Sequence, residues 1–492
     1  MRRFGLFLLG FAALLTAGSL VQAADDTDNK FSIHGEVRFR GDEWNNMIDF
    51  TDTDEGSGAT NTNDSFDLWP YRVRLAAKGE LGNDIWVYGE FQAAGVAGGG
   101  IFGETEPLFG DETEVFNSGV ALYQGYVMLK DVGKTNLDLT FGRQEVVYDR
   151  GLHFSSLDFY NGIRHDGIMA AWQWEDMGFS AFWLRNSENN LSLGSINCDE
   201  TVSPACPDSD DDTLGAHWNT MVGSKKNQDV AAYVFFQLQN DPGITPSQDR
   251  GKIYTVGGRW GRTLKGEGGF FWNIEGSYQF GDVQPCASPF FGGPCTDDTL
   301  DQKATIIEGD LGFVWHSGKT DQRFFGNALM ASGDDDPTDE DSDAFQPLYT
   351  DFHNRLGYAD IIAPTNVLSI SVGYQLNIDD RHIFGAQFYD FRKAEDNDTN
   401  ISPVSGFQLT PTLADCLVAT GEECDDDAIA QELDVSYTYA MTNNFSFDTA
   451  LAYVIPGDAI EDHWNSFGTV AGEEDFGGDN AWRLYGQARA RW

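Results

Sequence analysis

The chain has 492 residues with 78 acidic and 31 basic side chains, which gives a formal net charge of −47 at pH 7. This acidic excess argues against a nucleic-acid partner, because nucleic-acid-binding proteins present basic surfaces to phosphates. After residue 23 there is no run of about 18 apolar residues, which excludes a membrane-spanning helix. The motifs HExxH and GxSxG are absent, and no compact histidine and carboxylate cluster is evident, so the sequence predicts no enzyme.

Residues 1–23 have the pattern of a secretory signal peptide. Arg2 and Arg3 precede a short apolar stretch, and small residues stand where a signal peptidase reads the end of the segment. A membrane-anchoring helix is the alternative, but the apolar stretch is short for one. We therefore expect removal of residues 1–23. Residues 24–492 should form a single barrel domain, because no Pro/Ser-rich linker interrupts them.

Apolar and polar residues alternate at period two along the rest of the chain, which predicts β-strands. In residues 31–41, Phe31, Ile33, Val37 and Phe39 share one face of the first strand, and the opposite face is polar. The same pattern recurs about 18 times, in residues 31–41, 69–81, 85–95, 120–130, 136–146, 165–175, 178–186, 213–223, 229–240, 251–263, 268–281, 303–317, 322–332, 366–377, 382–392, 428–441, 444–455 and 480–492.

Short and long connections alternate strictly between these strands. This organisation predicts an all-β fold, a transmembrane antiparallel β-barrel of about 18 strands with short periplasmic turns and long acidic extracellular loops. A soluble β-sandwich also alternates, but it has no reason to keep every long connection at one end. With an even strand number both termini are periplasmic, and we expect an integral protein of the bacterial outer membrane. The terminal Trp492 resembles the signal that barrel-assembly machinery recognises.

The six cysteines form three close pairs within predicted loops. In an exported chain this arrangement favours local disulfides. Metal ligation is the alternative, but CxxC spacing and nearby histidines are absent. The pairs are Cys198 with Cys206, Cys286 with Cys295, and Cys416 with Cys424.

Acidic runs also fall in the predicted loops and have two interpretations. They are either solvated loop tips or flexible carboxylate clusters that bind Ca²⁺ and bridge lipopolysaccharide. The candidate Ca²⁺ ligands are Asp334, Asp335, Asp336, Asp339, Glu340 and Asp341. The sequence predicts no other cofactor.

The polar face of each strand should line the lumen. Closure places the last strand beside the first, so the basic residues of the first, second and last strands should form one continuous wall. Its predicted members are Arg38, Arg40, Arg72, Arg74, Lys78, Arg483, Arg489 and Arg491, and Arg259 should also point inward. Acidic residues predicted in the lumen are Glu90, Glu275, Glu308, Asp310, Glu432, Asp434 and Asp448. Either these acids pair with the arginines and fill the barrel, or an unpaired basic wall concentrates anions in an aqueous channel.

Several short motifs occur in a familiar order. They are GRQE at residues 142–145, YDRG at 148–151, IRHDGI at 163–168, ELDV at 432–435 and AYVIPG at 452–457. This order resembles the alginate export porin family of bacterial outer membranes across nearly the whole chain.

The resemblance implies an 18-stranded barrel that passes the polyuronate alginate outward through an arginine-lined constriction. It also implies lumen roles for Arg143 and Arg164, and structural or pore-lining roles for Glu432 and Asp434. Strict alternation would turn Arg143 toward lipid, so a lumen role requires a bulge at Gly142 or a position in the loop mouth.

Three functions remain open from the sequence. The first is passive, selective export of an alginate-like polyuronate. The second is a porin for small anions or general diffusion, which a constriction by an inward-folded loop such as residues 96–119 would favour. The third is a structural or adhesive barrel with a plugged lumen. We expect a monomer whose partners are an anionic polysaccharide or small anions, outer-membrane lipid and lipopolysaccharide, the barrel-assembly machinery and a periplasmic secretion protein.

Overall fold

A computed structural model describes residues 30–47, 50, 65–82, 84–97, 120–187, 211–223, 225–238, 251–262, 264, 268–283, 299–336, 339–396, 398, 426–460 and 478–492. The signal-peptide prediction, the three cysteine pairs and residues 98–119 lie outside these ranges. The strands are β1 (Lys30–Asn45), β2 (Phe66–Leu68), β3 (Pro70–Leu81), β4 (Ile85–Val96), β5 (Val120–Leu129), β6 (Leu137–Gln144), β7 (His165–Gln173), β8 (Met177–Ser187), β9 (Asp211–Val222), β10 (Gln228–Leu238), β11 (Lys252–Arg262), β12 (Gly269–Val283), β13 (Leu300–Ser317), β14 (Thr320–Ala331), β15 (Asp341–Ser342), β16 (Val367–Ile378), β17 (His382–Arg392), β18 (Ala428–Thr442), β19 (Phe445–Pro456) and β20 (Ala481–Arg491).

The long strands form one closed antiparallel barrel. Each pairs with the next along the chain, and β20 returns to pair with β1 over Glu36–Asn45. The short strands β2 and β15 only extend the sheet, β2 beside β1 and β15 parallel to β13. The barrel therefore has 18 strands, which confirms the predicted fold. Strand limits agree closely as well, with the largest difference at β1, predicted to end at residue 41 and ending at Asn45.

Side chains alternate between an apolar outer face and a polar inner face. On β1, Phe39 is 44% exposed on the outside, whereas the neighbouring Arg38 and Arg40 are 4% and 7% exposed. Leu484 on β20 and Trp492 just after the strand are outside, whereas Arg483 is buried inside. The predicted orientation of these strands is therefore confirmed. No helix among the described residues is long and apolar enough to cross a membrane.

The lumen is filled by two chain segments from the long-loop end. We call residues 145–164, between β6 and β7, the first inward segment, and residues 343–366, between β15 and β16, the second inward segment. Backbone hydrogen bonds join them, from the Ser155 N–H to the Tyr349 carbonyl at 3.0 Å and from the Tyr349 N–H to the His153 carbonyl at 2.8 Å. The sequence pattern did not predict either segment inside the barrel, because neither has strand periodicity.

Backbone turns and an apolar core explain how the inward segments fold. Positive φ angles at Asp149, Gly151 and Gly162 reverse the chain within the first segment. Apolar side chains of both segments are fully buried inside the barrel, among them Leu152 and Phe345. The long-loop half of the lumen therefore has a packed core and is not an open tube.

Candidate functional site

The predicted basic wall lies on the inner faces of β1, β3 and β20. Arg38 stands directly opposite Arg72 on one side and Arg489 on the other. Like charges placed opposite one another repel, so this row requires nearby acceptors or anions. Arg72 and Arg483 are nonetheless among the largest fully buried side chains described in the barrel.

Backbone carbonyls of the first inward segment accept hydrogen bonds from four of these arginines. The carbonyls of residues 158–161 face the wall, so the chain presents a row of acceptors to a row of donors. Arg38 donates to the carbonyls of Asp158 (2.6 Å) and Tyr160, Arg40 to that of Phe159 (3.0 Å), Arg72 to those of Asp158 (3.0 Å) and Tyr160 (3.1 Å), and Arg74 to that of Asn161 (3.0 Å).

The carboxylate of Asp158 is the anion at the centre of this contact. It lies 2.7 Å from Nη2 of Arg72, 3.1 Å from Nη1 of Arg74 and 3.5 Å from Nη2 of Arg489. Burial alone would raise the pKa of Asp158, but the surrounding guanidinium groups outweigh burial and hold it below its usual value. An anionic group is therefore strongly favoured at this point of the lumen.

Glu36 of β1 neutralises the periplasmic end of the wall. Its Oε1 accepts from Nη2 of Arg72 at 2.5 Å, and its Oε2 accepts from Nε of Arg491 at 3.0 Å. Glu36 shares the strand face of Arg38 and Arg40, so the alternation along β1 already indicates that its side chain points into the lumen. The list of predicted lumen acids omitted it.

Arg483 of β20 is bound between the barrel wall and the second inward segment. Its guanidinium donates two bonds of 2.8 Å to the carboxylate of Asp42 and a further bond to the carboxylate of Asp360. The ring of Trp44 lies 4.3 Å from the guanidinium carbon. Asp360 also pairs with His353 at 2.8 Å. Burial would raise the pKa of Asp360, yet His353 and Arg483 together hold it below its usual value.

Two of the predicted lumen acids, Glu432 and Asp434, bind the backbone of the second inward segment. Oε1 of Glu432 accepts the N–H of Ala359 at 2.9 Å, and Oδ2 of Asp434 accepts the N–H of Tyr358 at 3.1 Å. Their role is to hold the loop backbone against β18.

Two further acids pair with arginines of the inward segments. Glu308 lies 3.4 Å from Nε of Arg355, and Asp310 pairs with Arg150. Neither contact is with the basic wall on β1, β3 and β20. The wall is therefore paired with carboxylates other than the acids across the lumen. These carboxylates are Glu36, Asp42, Asp158 and Asp360, with Glu145 near Arg74 and Glu80 beside Lys78.

The remaining predicted lumen residues also point inward and have local partners. Arg259 contacts Asp149 at 3.3 Å and Asn273 at 3.2 Å, and Lys78 contacts Glu80 at 3.1 Å. The other acids accept hydrogen bonds: Glu90 from Gln124 (2.9 Å), Glu275 from Tyr233 (3.3 Å) and Asp448 from Gln487 (3.4 Å).

A cavity of about 250 Å³ remains in the lumen beside the second inward segment. Charged groups of both signs line it, namely Arg150, Arg323, Arg355, Glu308, Asp310 and Asp434. Arg323 differs from the other two arginines. It packs its guanidinium 4.4 Å and 4.9 Å from the rings of Phe271 and Phe325, and no carboxylate among the described residues forms an ion pair with it. Sequence reasoning missed Arg323, although its inner-face parity on β14 could have identified it.

The sequence matches the alginate export family over residues 33–471. The chain belongs to this family. The search of curated protein sequences found no significant match.

This family member resembles solved outer-membrane porins in fold. OprD of Pseudomonas aeruginosa is 10% identical with a TM-score of 0.52, and the alignment covers 94% of each chain. OpdL of the same organism is 9% identical with a TM-score of 0.52, covering 94% of this chain and 99% of that one. OccAB1 of Acinetobacter baumannii is 11% identical with a TM-score of 0.50, covering 93% and 96%. Identities this low establish the fold alone. Family and fold together identify an outer-membrane channel.

One residue carried over from the family resemblance does not lie in the lumen. Arg143 stays on the outer face of β6, where it pairs with Asp166 at 2.7 Å, and the pairing of β6 with β5 and β7 shows no register shift at Gly142. The lumen role expected for Arg143 is therefore wrong, because strict alternation holds without a bulge. Arg164 lies at the end of the first inward segment, with its guanidinium 5.9 Å from the ring of Tyr123.

The predicted Ca²⁺ ligands do not form a metal site. In the described part of the chain, which includes all six candidate residues, no group of three or more His, Cys, Asp or Glu side chains is arranged to hold a metal ion. Neighbouring carboxylates nevertheless influence one another, since burial and the charge of Asp398 raise the pKa of Asp334 to about 6.

Proposed function

We propose that this channel exports an anionic polyuronate of the alginate type, passively and selectively, along the arginine wall of β1, β3 and β20. The observation that carries the proposal is the pocket of guanidinium groups around Asp158. Three arginines converge there on one carboxylate, at 2.7, 3.1 and 3.5 Å. A uronate unit offers the same group, and guanidinium binds carboxylates in a planar, directional manner.

Passage requires the substrate to replace contacts that the first inward segment makes with the wall. Each guanidinium then exchanges a protein carbonyl or carboxylate for a uronate oxygen of similar strength. Such an exchange gives weak and repeated binding, which a polymer needs because it must both enter and leave. The energy for movement of the polymer comes from its concentration gradient or from a periplasmic secretion partner. We also propose that the protein is a monomer without enzymatic activity.

Single-channel recording in planar bilayers tests the proposal. Oligouronate added on the periplasmic side should block the current, and R74A and R489A should weaken the block by about tenfold each, because one charge-assisted hydrogen bond contributes roughly 1.5 to 3 kcal/mol. R392A is the matched control. Arg392 is an exposed arginine outside the lumen that is paired with Asp390 at 3.0 Å, so its loss should leave the block unchanged.

The filled lumen favours a second candidate, a porin for small anions. The two inward segments narrow the channel, which favours small solutes over a polymer. Free chloride conductance without oligouronate block would support this candidate and contradict polymer export. A barrel that conducts nothing under any condition would contradict both and leave the structural or adhesive role.

A further inference from the structure

A crevice of about 380 Å³ lies at the short-turn end of the barrel, between the end of β20 and the turns that join β16 to β17 and β18 to β19. This volume is within the range of about 300 to 1,000 Å³ that is typical of small-molecule sites. Three arginines line the crevice, and we call Arg381, Arg489 and Arg491 the mouth arginines. The short turns of an outer-membrane barrel face the periplasm, so the crevice lies at the periplasmic mouth of the channel.

The positive charge of the mouth arginines is only partly balanced. Arg491 pairs with Glu36 at 3.0 Å and its side chain is 58% exposed, while Arg489 lies 3.9 Å from the same carboxylate. Glu36 supplies a single negative charge to this end of the wall, and it binds Arg72 as well. Arg381 is exposed, and no carboxylate among the described residues forms an ion pair with it. The crevice therefore presents guanidinium groups that an anionic ligand can reach.

Two aspartates also line the crevice, but both have partners of their own. Asp379 lies 3.0 Å from Nζ of Lys319, and Oδ1 of Asp380 accepts a hydrogen bond from the side-chain amide of Asn377 at 3.2 Å. With Lys319 and Glu36 included, four cations face three carboxylates at the crevice. Its net charge is therefore positive, in a chain whose formal net charge is −47.

The mouth arginines continue into the Asp158 pocket. Arg489 and Arg491 share the inner face of β20 and stand two residues apart, which is about 6.6 Å along the strand. Nη2 of Arg489 lies 3.5 Å from the Asp158 carboxylate, so this arginine borders both the crevice and the pocket. Its Nε donates no hydrogen bond within the described part of the chain. A polymer with a carboxylate on each sugar unit can thus pass from one guanidinium to the next.

The opposite end of the barrel carries the opposite charge. Residues 333–343, in the long connection that follows β14, contain six aspartates and one glutamate and neither lysine nor arginine. A polyanion is repelled as it approaches this end, whereas it is attracted to the periplasmic crevice. Fields of this kind act mainly on the association rate of a charged ligand. The two ends of the channel should therefore capture a polyanion at different rates.

We propose that the mouth arginines form a capture site for the anionic polymer at the periplasmic mouth, and that Arg381 accelerates its entry. This inference rests on the proposed export function and adds the place at which the polymer is first bound. The charge difference between the two ends gives the passive channel a preferred side of entry. It changes the rate of entry and not the final equilibrium, because fixed charges do no net work on a polymer that passes completely through.

The kinetics of oligouronate block test this proposal, in planar bilayers that hold the full-length barrel in a known orientation. In the wild type, association from the periplasmic side should be faster than from the long-loop side. R381Q should lower the periplasmic association rate by about threefold or more and leave the dissociation rate nearly unchanged. R381K keeps the charge and should behave as the wild type. K134Q is the matched control, because Lys134 is an exposed cation in another periplasmic turn, between β5 and β6.

Ionic strength supplies a second arm that needs no variant. Raising the salt concentration from about 0.1 M to about 1 M shortens the screening length from about 10 Å to about 3 Å, which should remove the difference between the two sides. Equal association rates for wild type and R381Q, or from the two sides of the wild type at low salt, would overturn this inference and leave the proposed function intact. Absence of block from either side would overturn both.

Discussion

At the scale of single residues, the central contact of the lumen is a carboxylate enclosed by arginines. Asp158 belongs to a loop, whereas Arg72 and Arg74 belong to the barrel wall. This contact holds the first inward segment in place, because loss of the Asp158 carboxylate would leave the buried guanidinium groups without their anionic partner. Removing one member of such a buried pair typically costs several kcal/mol.

We expect D158N to open the channel. The amide removes the negative charge and places a donor against guanidinium donors, which should weaken docking of the first inward segment by on the order of 3 kcal/mol. Single-channel conductance should rise and become noisier than in the wild type. The control is D321N at an exposed site, where the ion-pair partner of the carboxylate is His316 at 2.5 Å. Identical traces for D158N and wild type would show that Asp158 does not hold the segment in place.

The lowered pKa of Asp158 makes a prediction about pH. A carboxyl group whose pKa is lower in the docked state than its ordinary 3.8 stabilises docking above that value, and this stabilisation is lost as the pH falls further. Wild-type conductance should therefore be constant between pH 8 and pH 5 and should increase only below about pH 4. D158N, which lacks this titrating group, should show a smaller acid increase than the wild type, and the remaining increase is expected from Asp360, whose pKa is also lowered. An opening midpoint near neutral pH would contradict this assignment.

At the scale of elements, two loops rather than strands determine the width of the lumen. The second inward segment passes so close to β18 that only glycine fits at residue 357. Gly357 has a φ of +92°, and a Cβ there would lie 2.5 Å from the carboxyl carbon of the buried Glu432. Glu432 positions the second inward segment because its carboxylate accepts a hydrogen bond from the Ala359 N–H.

G357A should displace the second inward segment from β18. Left-handed strain of about 1 to 2 kcal/mol adds to overpacking of about 1 to 3 kcal/mol. Limited proteolysis should cut this segment faster than in the wild type, and conductance should increase. G318A separates backbone strain from overpacking. Gly318 also has a positive φ (+63°), but it has open space where its Cβ would lie. If G357A and G318A behaved alike, the contact with Glu432 would not matter.

At the scale of the whole molecule, closure depends on the seam between β1 and β20. The N–H of Gly35 donates to the Trp492 carbonyl at 3.0 Å, and the N–H of Trp492 donates back to the Gly35 carbonyl at 3.1 Å. The Trp492 ring covers Gly35, so that a Cβ on residue 35 would lie 2.8 Å from Cη2 of the indole. The terminal tryptophan thus packs on the strand that closes the barrel.

G35A should weaken the seam by about 1 to 3 kcal/mol, since the indole must move to accept the methyl group. The folded barrel should then lose its characteristic mobility on SDS gels at a lower temperature than the wild type. G79A is the control: Gly79 lies on the neighbouring strand with nothing within 4 Å of its Cβ position, and its substitution should leave this temperature unchanged or slightly higher. A stable G35A barrel would show that the Trp492 contact does not support closure.

The sequence by itself determined the number of strands, the side of the wall that most strand residues face and the membrane location. These features follow from period-two alternation, which is local and which contact with lipid enforces along every strand. The same parity correctly predicts the outward position of Arg143, against the motif resemblance.

Only the tertiary structure decided what the arginines bind. Arg38 meets the carbonyl of Asp158 across 120 positions of chain, and a backbone carbonyl has no side-chain signature in the sequence. The filling of the lumen was therefore decided by long-range packing of two loops whose sequences show no strand periodicity.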